Sequence, residues 1–164
     1  MWTGTFPDDI DARSSAGWWA QWSFTSRVGG TSQAPFDSLN LAEHVGDDPA
    51  AVQRNRTILA ASFGEPAAST AFLVAEHGAN VEIVTDLPWP GSTGCDGLVT
   101  KQADVALVAL AADCAPIVLA DTATGVVAAV HCGWQGLVAG VVDSTIRLMG
   151  TQGAEPATTW ALVG

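Results

Sequence analysis

The chain contains no tyrosine, three histidines, three cysteines and six basic residues, of which Lys101 is the one lysine. Each scarcity excludes something. Six bases against 17 acids give a net charge of −11, which opposes contact with a phosphate backbone, so no nucleic-acid partner is expected. Three dispersed cysteines, an odd number, do not make a disulfide framework and fit a reducing compartment. No apolar run approaches the ~18 residues that a membrane-spanning helix needs, so no membrane partner is expected. The start, MWTGTFPDDIDARSS, lacks the basic-then-apolar order of a signal peptide. The expected location is the cytoplasm.

What is present supports a folded unit. Hydrophobic residues make up 48% of 164 residues, enough for a sizeable core and consistent with one domain over 1–164. Seven tryptophans are unusual, and three of them, Trp18, Trp19 and Trp22, sit together near the start. They are expected to pack in a core or interface rather than stack on a ligand.

Along the chain, residues 1–17 read as a loose leader and 21–27 as a strand, followed by a Gly-, Ser- and Pro-rich loop through Ser38. Asp47-Asp48-Pro49 is a helix start, an acidic cap followed by proline in the first turn, and that helix should run to Phe63 and stop at Gly64. Residues 71–75 and 81–84 read as strands, and 87–96 as a loop. Residues 105–111 read as a strand buried on both faces. Residues 137–149 form an amphipathic pattern with apolar residues at Leu137, Val141, Ile146 and Met149, predicting one helix. Residues 158–163 read as a last strand.

The segment AADCAPIVLADTATGVVAAVHCGWQG, Ala111 to Gly136, carries the chemistry. Two apolar runs, 116–120 and 126–130, flank a polar turn at 121–125, which is a strand–turn–strand pattern. Cys114 precedes the first strand and His131 follows the second, so a hairpin places them at the same end. A thiolate beside an imidazole can bind zinc, or the imidazole can take the thiol proton. The spacing is not that of a compact zinc motif, and from spacing alone a paired core histidine and a buried cysteine are the simpler reading.

The sequence resembles the YfiH or laccase-domain family, also called multicopper polyphenol oxidoreductase or peptidoglycan editing factor and including purine nucleoside phosphorylase-like proteins. The likeness rests on AADCAPIVLAD, VHCGWQG, the block RVGGTSQAPFDSLNLAEHVGDDPAAVQRNR from Arg27 to Arg56, EHG at Glu76–Gly78 and CDGLVT at Cys95–Thr100, in order. It implies an α/β fold of the YfiH-like cysteine-hydrolase type, a layered mixed β-sheet with packed helices. It also implies metal ligands at His77, Cys114 and His131, which would act as the catalytic residues. Two imidazoles and a thiolate leave a fourth tetrahedral position open, as catalytic zinc sites do. Zinc is the expected cofactor. Copper ranks lower, because a multicopper centre needs about ten ligands, mostly imidazoles, and this chain has three histidines.

The resemblance also places Asn40, Arg27 and Gln135 at substrate-binding positions. Asn40 matches an asparagine that could line the pocket, and Arg27 a basic position able to bind an anion. Asp113 is either an acceptor for a ligand histidine or a turn residue, and His44 is either near the pocket or a solvated loop residue. Cys132 and Cys95 fall at small-residue positions and are left out of the metal site; Cys132 is expected in the core, pointing away from His131's face. Two departures stand out. Gln135 replaces the family's arginine, losing a charged fork of donors. Glu76 replaces a glutamine before the key histidine.

The resemblance implies a zinc-dependent enzyme of purine nucleosides. Phosphorolysis of adenosine, inosine or methylthioadenosine is one reaction, and adenosine deamination by a zinc-activated water is the other. The alternatives are a cysteine hydrolase on peptidoglycan precursors, with Cys114 as nucleophile and His131 as base, and a metal-binding homologue weakened at Gln135. The substrate is a small nucleoside; the sequence leaves the oligomeric state open. Family members are longer, and the final TWALVG reads as a buried strand without a polar tail. The expectation is a single YfiH-like domain lacking its C-terminal part.

Overall fold

The Val-, Ile-, Leu- and Ala-rich runs on either side of Asp121–Gly125 form the centre of the molecule. In the computed structural model, which describes residues 1–6, 19–92 and 94–164, they are β7 (Ala115–Asp121) and β8 (Val127–Cys132). The two pair antiparallel, Ala115 opposite Cys132 and Pro116 opposite His131. Asp121 closes the turn: its carboxylate accepts from the Ala123 and Glu155 N–H groups and from the Thr124 and Thr158 hydroxyls.

β8 also pairs antiparallel with β5 (Gly97–Thr100), and β5 pairs parallel with β4 (Val81–Ile83). β9 (Thr159–Val163) lies antiparallel on the other side of β7, giving a mixed five-stranded sheet of order β4-β5-β8-β7-β9. The fold is therefore α/β with a mixed sheet, as expected. β5 is buried at all four residues and lay unrecognised in the sequence.

Alternation along the strands gives the sheet two apolar faces. Val99, Ile117, Leu119, Ala128 and Val130 share a core with Cys132 and with Val141 and Met149 of a helix. Leu98 belongs to a second core with Ala71, Leu73, Val84 and Cys95. Both cysteines are buried in these cores, Cys132 as expected. A third cluster joins Leu39 and Leu41 to Leu59 of α1 (Pro49–Ser62). Asp48 caps α1 by accepting from the Ala50 N–H, with proline at the first position, so that boundary was read correctly.

Several expectations are corrected. Part of the supposed leader is β1 (Trp2–Phe6), paired antiparallel with β2 (Ala20–Phe24); the rest of the leader, and Trp18, lie outside the described residues. The strand expected at 105–111 is only β6 (Ala106–Val108), half-buried, and it pairs parallel with β3 (Thr70–Phe72) in a separate ribbon. The single helix at 137–149 is two: α2 (Trp134–Ala139) and α3 (Val141–Thr151). Gly140 separates them at φ 88°, ψ 36°, a left-handed conformation that glycine adopts without strain and that ends a helix. Leu137 consequently faces solvent at 60% exposure. The last strand is a half-exposed edge, with Trp160 61% exposed, rather than a buried one.

Candidate metal centre

Three candidate ligands from three places in the chain meet at one end of the β7–β8 hairpin. Cys114 stands immediately before β7, and His131 is the fifth residue of β8, 4% exposed. His77 comes from the loop between β3 and β4. The Cys114 sulfur and one ring nitrogen of each histidine all lie within 4.8 Å of one another. Among the described residues, this is the one such group of three. The two imidazoles meet edge to face, centroids 4.8 Å apart at 86°. A borderline-soft ion suits two imidazoles and a thiolate, so the donor set fits zinc in kind.

Gly133 forms the wall behind the cluster. A β-carbon placed there would stand 3.0 Å from the Cys114 sulfur, 3.1 Å from His77 Cδ2 and 3.7 Å from His131 Cε1. Only a residue without a side chain leaves the ligands room to converge.

Sequence reasoning missed Asp96. It precedes β5, is fully buried, and its Oδ1 lies 2.9 Å from His131 Nδ1. A carboxylate accepts, so the ring donates from Nδ1 and keeps Nε2 for a metal. The same carboxylate accepts the N–H groups of Glu76 (3.3 Å), His77 (2.9 Å) and Gly78 (2.8 Å). Asp113, the acid considered for a histidine partner, instead lies beside the thiol, Oδ1 3.6 Å from the Cys114 sulfur. The signal for Asp96 was available: an acid inside the otherwise apolar CDGLV run must be paired if buried.

Desolvation pushes the Cys114 thiol up from its ordinary value, and the neighbouring Asp113 charge and hydrogen bond add to this. Burial likewise raises Cys132 and Cys95. Cys114 therefore stays a thiol at neutral pH unless a cation displaces its proton.

The remaining candidates are not among the three converging ligands. Arg27 donates to the carbonyls of Asp37 (2.6 Å) and Pro35 (3.2 Å) and pairs with the exposed Asp37 carboxylate. Asn40 donates to Asp47 (2.9 Å) and accepts from the Ala42 N–H (3.0 Å). These bonds stay within the 27–47 segment, which the buried Asn55 of α1 ties down through Ser32, Ser38 and Asn40. Glu76 is turned against Gly94. His44 is exposed. Gln135 is exposed on the first turn of α2, two residues beyond Gly133.

Comparison with known proteins identifies the family of the chain. The family described as "Multi-copper polyphenol oxidoreductase laccase" matches residues 21–164. A purine nucleoside phosphorylase of Streptomyces coelicolor is 45% identical over 147 residues, covering 88% of this chain and 60% of the relative. One from Corynebacterium glutamicum is 43% identical over 143 residues, covering 86% and 58%. The chain thus spans about 60% of the length of these curated relatives. Among solved structures, YlmD from Geobacillus stearothermophilus superimposes with a TM-score of 0.77 at 32% identity, over 85% of this chain and 55% of that one. The Bacillus licheniformis hypothetical protein YfiH gives 0.80 at 29%, over 86% and 56%.

Proposed function

The chain belongs to the multi-copper polyphenol oxidoreductase laccase family, and from that premise we propose that His77, Cys114 and His131 form the metal centre of a purine nucleoside phosphorylase. The observation that carries the reading is the convergence of the three donor atoms within 4.8 Å at one end of a rigid hairpin. The relatives named purine nucleoside phosphorylase supply the substrate class. Zinc is the metal that the donor set favours, with copper less suited to so few imidazoles.

The bound ion would supply Lewis acidity toward an oxygen or nitrogen of the nucleoside. The chain's own residues do the rest. Asp96 holds the His131 ring with Nε2 toward the cluster. Gly133 keeps the space between the ligands open. Gln135 offers a neutral amide where the family has arginine, so a phosphate co-substrate is held weakly at that position. Arg27 and Asn40 belong to the substrate-binding surface in this reading, Arg27 as a cation for an anionic group. A reaction that uses water in place of phosphate, adenosine deamination, is less affected by Gln135. The intended setting is the cytoplasm; no described helix is long and apolar enough to cross a membrane.

A second reading has one observation in its favour. Asp96, His131 and Cys114 follow one another as acid, imidazole and thiol, the order of a nucleophile–base–orienting-acid triad. That arrangement suits a cysteine hydrolase, such as one editing peptidoglycan precursors. The upward-shifted thiol opposes it.

Adenosine incubated with the purified protein separates these readings. Phosphate-dependent release of adenine with ribose 1-phosphate, lost on chelation and restored by zinc, is the expected result. Inosine without phosphate dependence would make the enzyme a deaminase. No nucleoside turnover, with an alkylation-sensitive but chelator-insensitive hydrolysis, would replace the metal reading by the cysteine hydrolase.

A further inference from the structure

We propose that Asp96 is a positioning residue that orients both histidine ligands through one buried carboxylate. The inference rests on reading His77, Cys114 and His131 as a metal centre. Asp96 has no exposed surface, and both its oxygens are engaged. Oδ1 accepts from the His77 N–H and the His131 ring, each at 2.9 Å. Oδ2 accepts from Gly78 at 2.8 Å and Glu76 at 3.3 Å. Its main chain joins the same two segments: the Asp96 N–H donates to the Asn80 carbonyl, and its carbonyl accepts the His131 N–H at 2.7 Å.

Two ligands that are remote in sequence are thus referred to one group. On the β8 side, Asp96 fixes the ring plane and tautomer of His131. On the loop side, it gathers three successive N–H groups around His77, which stands at φ 61°. A residue with a β-carbon holds that left-handed conformation when its surroundings impose it. The hydrogen bonds from residues 76, 77 and 78 are the imposing contacts. Cys114 needs no such help, since the β7–β8 register places it.

The chemistry requires a carboxylate. All four partners are donors, and only an acceptor-only group of this size satisfies them. Asparagine would turn an N–H₂ toward one of the donor sets. Alanine would leave three backbone N–H groups and a ring N–H without an acceptor, all beside a buried space.

The test combines a metal-free and a metal-loaded readout. With ¹⁵N-histidine labelling, three histidines give a readable spectrum, and His44→Gln removes the one outside the cluster. In the metal-free wild type in mildly alkaline buffer, His131 should carry its proton on Nδ1. Asp96→Asn should lose that single tautomer. Asp96→Asn and Asp96→Ala should each lower Co²⁺ affinity by about tenfold to a hundredfold, the usual cost of removing a ligand's hydrogen-bond partner. Their metal-free circular dichroism should stay native. A wild-type His131 protonated on Nε2, or a folded Asp96→Asn with unchanged Co²⁺ affinity and tautomer, would overturn the proposal. If neither variant folds, the wild-type tautomer decides. A wild type with the Nδ1 proton that binds no Co²⁺ would sink the metal reading and leave the positioning role standing.

Discussion

Gly133→Ala tests the geometry of the ligand cluster with one methyl group. The backbone there is extended, φ −72° and ψ 163°, so alanine fits the main chain without strain. Two small stability effects oppose each other. Removing glycine from the unfolded ensemble stabilises by about 0.4–1 kcal/mol, and replacing it at a helix N-cap costs a comparable amount, about 0.5–1 kcal/mol. These two effects alone would leave the metal-free protein within about 0.5 kcal/mol of wild type, and any further loss reports the cost of moving the neighbouring side chains aside. The cluster has no such compensation. The new carbon would lie 3.0 Å from the Cys114 sulfur and 3.1 Å from His77 Cδ2, so both must retreat by a few tenths of an ångström. Metal sites tolerate about ±0.2 Å in ligand distances. A ten- to hundredfold loss of affinity, about 1.4–2.8 kcal/mol, is expected. Titration with Co²⁺, followed through the thiolate-to-cobalt charge-transfer absorbance, measures the loss, and urea unfolding of the metal-free protein supplies the control. Undiminished Co²⁺ affinity in a stably folded variant would show that the three side chains do not converge on one ion.

Further outcomes can be stated briefly. Cys114→Ser and His131→Ala should each abolish zinc binding and adenosine turnover, whereas Cys132→Ser, on the helix-facing side of β8, should be nearly silent; equal damage from Cys132→Ser would mean that the wrong cysteine is the ligand. Burial works to raise the Asp121 carboxyl, but its four hydrogen bonds outweigh that and hold it below the ordinary value. Its stabilisation is therefore present above the unfolded value of about 3.9 and fades as pH falls through the lower folded value. Asp121→Ala should cost about 2–3 kcal/mol at neutral pH and flatten the acid limb of the unfolding curve. Gln135→Arg should raise phosphate-dependent adenine release about tenfold to a hundredfold, the worth of a charged hydrogen bond of about 1.5–3 kcal/mol, and leave deamination unchanged; wild-type saturation at low phosphate would show that the anion is held elsewhere.

The centre of the fold was legible because its signals are local. The apolar runs flanking Asp121–Gly125 and the Asp48-Pro49 helix start each depend on a few adjacent residues. What escaped depends on distant partners. WTGTF becomes β1 only because AQWSF lies opposite it. GLVT is a fully buried strand because β4 and β8 flank it, and four residues carry no period of their own. The apolar pattern from Leu137 to Met149 is continuous in sequence, yet Gly140 lets the backbone turn and exposes Leu137. In the site, His77, Cys114 and His131 were assignable through the resemblance, and Asp113 drew notice because it adjoins Cys114. Asp96 is close to the histidines only in space.

The pairing of β8 with β5 on one side and β7 on the other has a consequence for the order of events in making the protein. In a zinc finger the ligands are near neighbours, and the ion can draw an unfolded chain together. Here the β7–β8 hairpin brings Cys114 and His131 together, but no short fragment holds all three ligands, and the long segment between His77 and Cys114 must close before the set is complete. The ion is then a passenger of the native state. It should not alter the folding rate, and should act on unfolding by mass action alone, adding about 2.7 kcal/mol at a free concentration one hundred times its dissociation constant. A newly made chain would pass through a finished, metal-free form before loading, and cells short of the metal would accumulate that form intact rather than degrade it as unfolded protein.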